Sequence, residues 1–386
     1  MHPEIPSNRR DVLRGLAALA GGTLLGASPA HSVVAPAKKA RDVAAARGIL
    51  FGSAFDQHIY TSPSYAKLLC DECAILTPDY SLKFDALRKT GPNTIDFSVA
   101  DRLFDFAASC NLKMRGHTLI WNDFMPEWTR RMSASEMERL LDRHIDEVAG
   151  RYSGRVHCWD VVNEPIWIES GHKGGLRGGP WYNAMGSSYI ARSFRRTKQA
   201  DPHAKLVLNE SYLEHKWYDS PFAKNRSRKP DSPWPKFRDY FLDLVRQLRD
   251  ENVPLDAIGM ESHMAPKFRD EYDRDSLLEF MHTIKAMGLD IYITELDVDD
   301  STFPDDFAKR DKGIADYYHM YLKDVLSVDA VKLLITWELS DRHTSIAENI
   351  MAGRISDVRM PRILPFDFDM RPKPAYDAIV SALMGK

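Results

Sequence analysis

The run Trp159-Asp160-Val161-Val162-Asn163-Glu164-Pro165 carries a glutamate at the end of a short apolar stretch that begins at Val156, the pattern of a buried strand. A second run of the same form, Ile293-Thr294-Glu295-Leu296-Asp297, again sets a glutamate at a strand end. Hydrolysis of a glycosidic bond with retention needs one carboxylic acid to protonate the leaving oxygen and one carboxylate to attack the sugar carbon. Two glutamates on rigid strand ends suit that chemistry.

Working outward from these runs, short apolar segments alternate with helical patterns from Arg47 onward, and no Pro, Ser or Gly-rich linker divides them. The strand candidates are Ile49 to Phe55, Cys73 to Thr77, Lys113 to Leu119, Val156 to Asn163, Lys205 to Asn209, Ala257 to Ser262, Asp290 to Glu295 and Val331 to Trp337. Between them lie amphipathic stretches such as Ser135 to Tyr152, with Met137, Leu140, Leu141, His144, Ile145 and Val148 at helical spacing. Repeated β-α units of this number predict an α/β chain folded as a single (β/α)8 TIM barrel over residues 47–386. Reacting groups in that fold come from the C-terminal ends of the strands, where Glu164 and Glu295 end strands four and seven.

The 386 residues suffice for such a barrel, which needs about 250 or more. Its 52 Lys and Arg against 55 Asp and Glu give a net charge of -3, spread along the chain. That balance excludes the one-sided basic field of a nucleic-acid binder and fits a neutral polysaccharide or oligosaccharide substrate. Residues 1–30 read as an export signal: adjacent arginines in Ser7-Asn8-Arg9-Arg10-Asp11-Val12-Leu13-Arg14, a small and apolar stretch from Gly15 to Gly26, and Ala27-Ser28-Pro29-Ala30 as a cleavage site. The arginine pair is similar to a bacterial twin-arginine signal, which predicts the twin-arginine export machinery as a partner and a periplasmic or extracellular location. The apolar stretch falls short of the roughly 20 residues that span a membrane. Residues 31–46 read as a linker. Cys70, Cys73, Cys110 and Cys158 are too few and scattered for a disulfide framework and read mostly as core thiols; the C-x-x-C of Cys70 and Cys73 lacks the second pair a zinc site needs. No cofactor or metal is expected, and a monomer is.

Two connections are long. Ile166 to Ser188, with Gly174-Gly175 and Gly178-Gly179, reads as a flexible cleft wall rather than a phosphate-binding loop. Ser211 to Pro235 carries Trp217, Tyr218 and Trp234 beside Lys224, Arg226, Arg228 and Lys229, and reads as a sugar platform or a solvated excursion.

Five motifs in order give the chain a resemblance to the family 10 glycoside hydrolases, best known as endo-β-1,4-xylanases. Thr77-Pro78-Asp79-Tyr80-Ser81-Leu82-Lys83-Phe84 resembles the family's Thr-Pro-Glu-Asn-x-Met-Lys-Trp, and Arg115-Gly116-His117-Thr118-Leu119-Ile120-Trp121 its Arg-Gly-His-Thr-Leu-Val-Trp. The two glutamate runs are similar to its acid/base and nucleophile motifs, and Lys373-Pro374-Ala375-Tyr376 to the close of its last helix. The resemblance implies a retaining mechanism with Glu164 as acid/base and Glu295 as nucleophile. It further implies that Lys83, His117, Trp121 and Trp337 contact sugars, that Asn163 donates to a sugar 2-hydroxyl, and that His263 holds Glu295.

The departures from the family pattern gather around the reacting sugar. Asn122-Asp123-Phe124 stands for His-Ser-Gln, Tyr80 for Asn, and Ser345 for a second Trp after strand eight. Glu261 stands for Gln, so a third carboxylate is expected near Glu295, where one of the group holds a proton or a cation compensates. These changes predict a β-glycan that need not be plain xylan, such as a decorated or hexose-containing exopolysaccharide. They also keep open a carbohydrate-binding protein without turnover.

Overall fold

The computed structural model describes residues 38–216, 237–356 and 358–386. Residues 1–30, read as an export signal, and Trp217, Tyr218, Lys224, Arg226, Arg228, Lys229 and Trp234 therefore lie outside the described residues. All eight strand candidates are strands: β1 (Leu50–Phe55), β2 (Ile75–Pro78), β3 (Lys113–Gly116), β4 (Cys158–Asn163), β5 (Lys205–Glu210), β6 (Ala257–Met260), β7 (Asp290–Val298) and β8 (Val331–Thr336). Each pairs in parallel with its neighbours in chain order, and β8 pairs with β1 to close the barrel. A two-residue extension, His263–Met264, prolongs β6 along the far end of β7. The chain is thus a closed (β/α)8 barrel.

The strands are buried over nearly their whole length because helices cover their outer faces and side chains fill the interior, which is why they read as apolar runs. The helix Ala134–Arg151 shows how locally the sequence writes its elements. Ser133 caps it and Glu136 reaches back to the Ser133 backbone at 2.7 Å, a complete capping box, while Leu140, Leu141, His144, Ile145 and Val148 face the barrel.

Two expectations are corrected. Ala40–Ala45, within the segment read as linker, is a helix whose Ala40 and Ala44 are fully buried, and it is tied to the last helix by a hydrogen bond from Ala40 to the Tyr376 hydroxyl. Its small residues gave too weak a periodicity to separate from a linker. Cys70 and Cys110, read as thiols, form a disulfide between the ends of the helices Pro63–Glu72 and Ser98–Ser109. Their sequence separation of 40 hides a neighbour relation that exists only once the helices pack side by side. Cys73 and Cys158 are buried free thiols, as expected. Among the described residues, no helix is long and apolar enough to cross a membrane.

Candidate active site

The C-terminal ends of the strands bring Glu164, Glu295, Glu261, His117, His263, Asn163, Lys83, Trp121 and Trp337 into one cleft. At this rim Phe124, Glu164, Tyr212, Ser262 and Glu338 all adopt positive φ, with Glu164 at 45°. Non-glycine residues leave the favoured backbone region only where surrounding structure holds them, and such positions concentrate at functional sites.

Glu295 sits in a cationic pocket. Arg115, fully buried, pairs with Asp160 and lies 3.5 Å from Glu295 Oε1; His117 Nδ1 is 2.7 Å from Asp160 and 3.9 Å from the same Glu295 oxygen. On the other side His263 Nε2 is 3.5 Å from Glu295 Oε2, and its Nδ1 is 2.9 Å from Asp297. Burial alone would raise the Glu295 pKa, but His117, a hydrogen bond from His263, and Arg115 outweigh it and bring the value down to about 2. Desolvation likewise works against a charged His263, yet Asp297 and Glu295 hold its pKa well above 6.5.

Glu164 has a different setting, on the connection after β4. Arg177 donates to the Glu164 backbone carbonyl at 2.7 Å, to its Oε2 at 2.5 Å, and to Asp123 at 2.6 Å. The connection expected to be a flexible wall thus delivers a buried arginine, whose guanidinium also lies 4.4 Å from the Trp167 ring. Burial raises the Glu164 pKa, Arg177 pulls it back, and Glu295 and Asp123 raise it again; the net direction is upward. Glu210 lies behind it, fully buried and bonded to the Ile166 and Ser211 backbone amides. Burial, then the charge of Glu164, pushes Glu210 well above the ordinary carboxylate range.

Asn209 joins the two halves. Its amide nitrogen shares two hydrogens among three acceptors, Asn163 Oδ1 at 2.8 Å, Glu295 Oε1 at 3.0 Å and Glu261 Oε1 at 3.2 Å, while Thr294 donates to its oxygen at 2.8 Å. Among the described residues, the Asn163 amide nitrogen has no protein partner. Gly259, paired with Asn209 across β5 and β6, makes this possible: a Cβ there would collide with the Asn209 side-chain oxygen. Glu261 points inward, 3% exposed, rather than to solvent. Burial, then Glu295 and Glu164, drives its pKa well above the usual range, so beside Glu295 it is the carboxyl that favours its protonated form.

Lys83 Nζ lies 5.2 Å, 5.4 Å and 5.9 Å from the ring centres of Trp121, Phe124 and Trp337, and 4.0 Å from Asp79. Trp337 meets His117 edge-on at 5.5 Å and His263 at 6.2 Å. Of the departures, Phe124 stacks on Trp121 at 5.1 Å and is 55% exposed, Tyr80 bonds Asp85 at 2.7 Å, and Ser345 opens the short helix Ser345–Met351.

The sequence model for glycosyl hydrolase family 10 matches residues 39–382. The chain belongs to that family. It is 30% identical over 346 residues to endo-1,4-beta-xylanase A of Phanerodontia chrysosporium, covering 88% of this chain and 76% of that one. It is 28% identical to endo-1,4-beta-xylanase B of Thermotoga neapolitana, covering 82% of each. Native xylanase 10B from Thermotoga maritima superposes with a TM-score of 0.75 at 26% identity, covering 90% of this chain and 98% of that one. Xylanase 10B from Thermotoga petrophila, solved with xylobiose, gives 0.74 at 27% identity, covering 90% and 97%. This family 10 chain is a xylanase-like glycoside hydrolase. Arg177, Asn209 and Glu210 were not singled out from its sequence, although Asn209-Glu210 repeats, at the end of β5, the Asn163-Glu164 pair that ends β4.

Proposed function

We propose that the chain is an exported endo-β-1,4-glycanase of xylanase type that works by double displacement, with Glu295 as nucleophile and Glu164 as acid/base. The observation that carries this reading is the opposed ionisation of the two groups: Glu295 is held at about 2 and Glu164 is raised. In the first step the Glu295 carboxylate attacks the anomeric carbon while Glu164 gives its proton to the departing oxygen. Forming the glycosyl ester removes the charge on Glu295, one of the causes that raises Glu164, so Glu164 falls toward its ordinary range and serves as base. It then takes a proton from the water that displaces Glu295. Asn163 is the donor to the sugar 2-hydroxyl, and Lys83, His117, Trp121 and Trp337 hold the sugars on the nonreducing side. Glu261 and His263 support Glu295.

Xylan as substrate is supported by the names of the relatives. Export is supported by the arginine pair near the N-terminus and by the Cys70–Cys110 disulfide, a bond that persists in oxidising compartments. A second reading, a β-glycan containing hexose or other decoration, is favoured by Phe124, an exposed ring stacked on Trp121 where the family pattern has glutamine. One hydrophobic pocket change discriminates by only about 1 to 3 kcal/mol. The test is product analysis after incubating the mature protein with xylan, mixed-linkage glucan, cellulose derivatives and bacterial exopolysaccharides, beside Glu295→Ala. Xylan cleavage that Glu295→Ala abolishes supports the first reading, and cleavage of another glycan supports the second. Binding without any cleavage overturns both in favour of a binding protein.

A further inference from the structure

Away from the two glutamates, the connections that follow β1 and β8 turn His58, His343 and Glu348 toward one another, with one donor atom from each within 4.8 Å of the others. His58 Nδ1 lies 2.9 Å and His343 Nδ1 3.8 Å from the same oxygen of Glu348. The two imidazoles stack with centroids 5.1 Å apart and 20° between planes. None of the three takes part in the chemistry above. We propose that His58, His343 and Glu348 form a binding site for a divalent transition metal of the zinc class, clamping the β1 and β8 connections together beside the cleft.

The donor set points to the class of metal. Two imidazoles and a carboxylate suit zinc and its neighbours, whereas calcium and magnesium take shells of oxygen. Zinc bonds of about 2.0 to 2.2 Å in a tetrahedral arrangement put ligand atoms about 3.3 Å apart. The two observed separations from the carboxylate oxygen, 2.9 Å and 3.8 Å, bracket that figure, and all three donor atoms lie within 4.8 Å of one another. The carboxylate holds the two rings unequally: one oxygen serves both, close to His58 Nδ1 at 2.9 Å but 3.8 Å from His343 Nδ1, beyond hydrogen-bond reach of a ring that is only 8% exposed. The side chains of His58 and Glu348 are 26% and 35% exposed, which leaves an entry path and room for water as a further ligand.

The site also has a route to the cleft. Tyr65 packs on the His343 ring at 4.2 Å, donates to the Glu338 carboxylate and accepts from the Leu339 backbone amide at 3.3 Å. Glu338 and Leu339 directly follow Trp337, so a metal that fixes His343 also fixes the backbone that carries the Trp337 ring.

The test uses the full mature chain, stripped with chelator and titrated with zinc chloride by calorimetry, with metal content and melting temperature read alongside. One equivalent bound and a rise in melting temperature are expected, both lost in His58→Ala and in Glu348→Gln, two partly exposed positions that leave the core untouched. Calcium at the same concentration should raise the melting temperature in none of the three proteins. Zinc binding that survives both substitutions overturns the proposal; if it also inhibits turnover, the metal lies instead at Glu261, His263 and Glu295, whose donor atoms also converge within 4.8 Å. Equal stabilisation by calcium, or no zinc binding by the unaltered chain, overturns it as well.

Discussion

Glu295 and Glu164 are chemically the same group at the ends of two strands of one barrel, yet their surroundings drive them apart. Glu295 faces Arg115, His117 and His263, each anchored in turn by a second carboxylate, Asp160 or Asp297. Glu164 pairs directly with Arg177, whose charge it shares with Asp123, feels His263 only as the weakest of its neighbours, and backs onto Glu210. The lesson is that counting charges within reach, rather than burial, separates the two roles: burial pushes both upward, and only around Glu295 is it outweighed.

Deleting either group should break this comparison most severely, and in different ways. Glu295→Ala should lower turnover of every substrate by on the order of 10^4-fold or more, because no other carboxylate replaces a nucleophile. Glu164→Ala should cost about 10^2 to 10^4-fold on a polysaccharide but far less on an aryl glycoside whose leaving group needs no proton. Equal losses on both substrates for Glu164→Ala would reverse the assignment. Asn209→Ala comes next. It removes a donor to Glu295 at 3.0 Å and one to Glu261 at 3.2 Å. A hydrogen bond to a charged group stabilises by about 1.5 to 3 kcal/mol, so kcat/KM should fall about 10 to 100-fold. Because the lost bond favoured ionised Glu295, the acid limb of the pH profile should move to higher pH.

How much of this was legible in the sequence follows from how far each signal reaches. The strands and the two glutamates that close their apolar runs are written within a few consecutive residues, and all eight strands form, although β7 runs three residues past Glu295 and the helix read from Ser135 starts one residue earlier, behind a cap at Ser133. Arg177 and Asp123 are each ordinary in a loop and become a clamp only when the connection after β4 folds back over β3, a relation 54 residues long. The disulfide fails for the same reason, since Cys70 was more visible as the partner of nearby Cys73 than of Cys110. Asn209 lacked a long-range excuse: it ends a strand beside a glutamate, as Asn163 does. The helix Ala40–Ala45 was lost because alanine serves a buried face and a linker equally well.

Glu261 sharpens the comparison by adding a third carboxyl between the other two. Its folded pKa lies above the unfolded value, so its contribution to stability is present in full below the ordinary carboxylate range and is lost as pH rises through the folded value. Glu261→Gln removes that loss, and the melting temperature of the variant should gain on the unaltered protein as pH rises. In activity, an ionised Glu261 helps Glu164 keep its proton; without it, the basic limb should begin at lower pH. Identical pH profiles would mean that Glu261 stays protonated throughout and acts only as a hydrogen-bonding neighbour.

The smallest effect should come from Asp123, which is half-exposed and therefore screened by water. The groups that bear on Glu164 are Arg177 and His263, which lower its pKa, and Glu295 and Asp123, which raise it, with Glu210 and Glu261 coupled to it from behind and beside. Asp123→Asn leaves the guanidinium charge to Glu164 alone, so Glu164 should release its proton more readily and the basic limb should begin at slightly lower pH, with kcat nearly unchanged at acidic pH. Arg177→Gln should move the same limb the other way, toward higher pH, with a lower kcat throughout because the bond to the Glu164 backbone carbonyl at 2.7 Å is also weakened. Opposite displacements from two neighbouring substitutions are the signature of a charge balance on Glu164. If both variants instead lose activity in parallel at every pH, Arg177 and Asp123 merely hold the β4 connection in place, and the upward shift of Glu164 rests on burial and Glu295 alone.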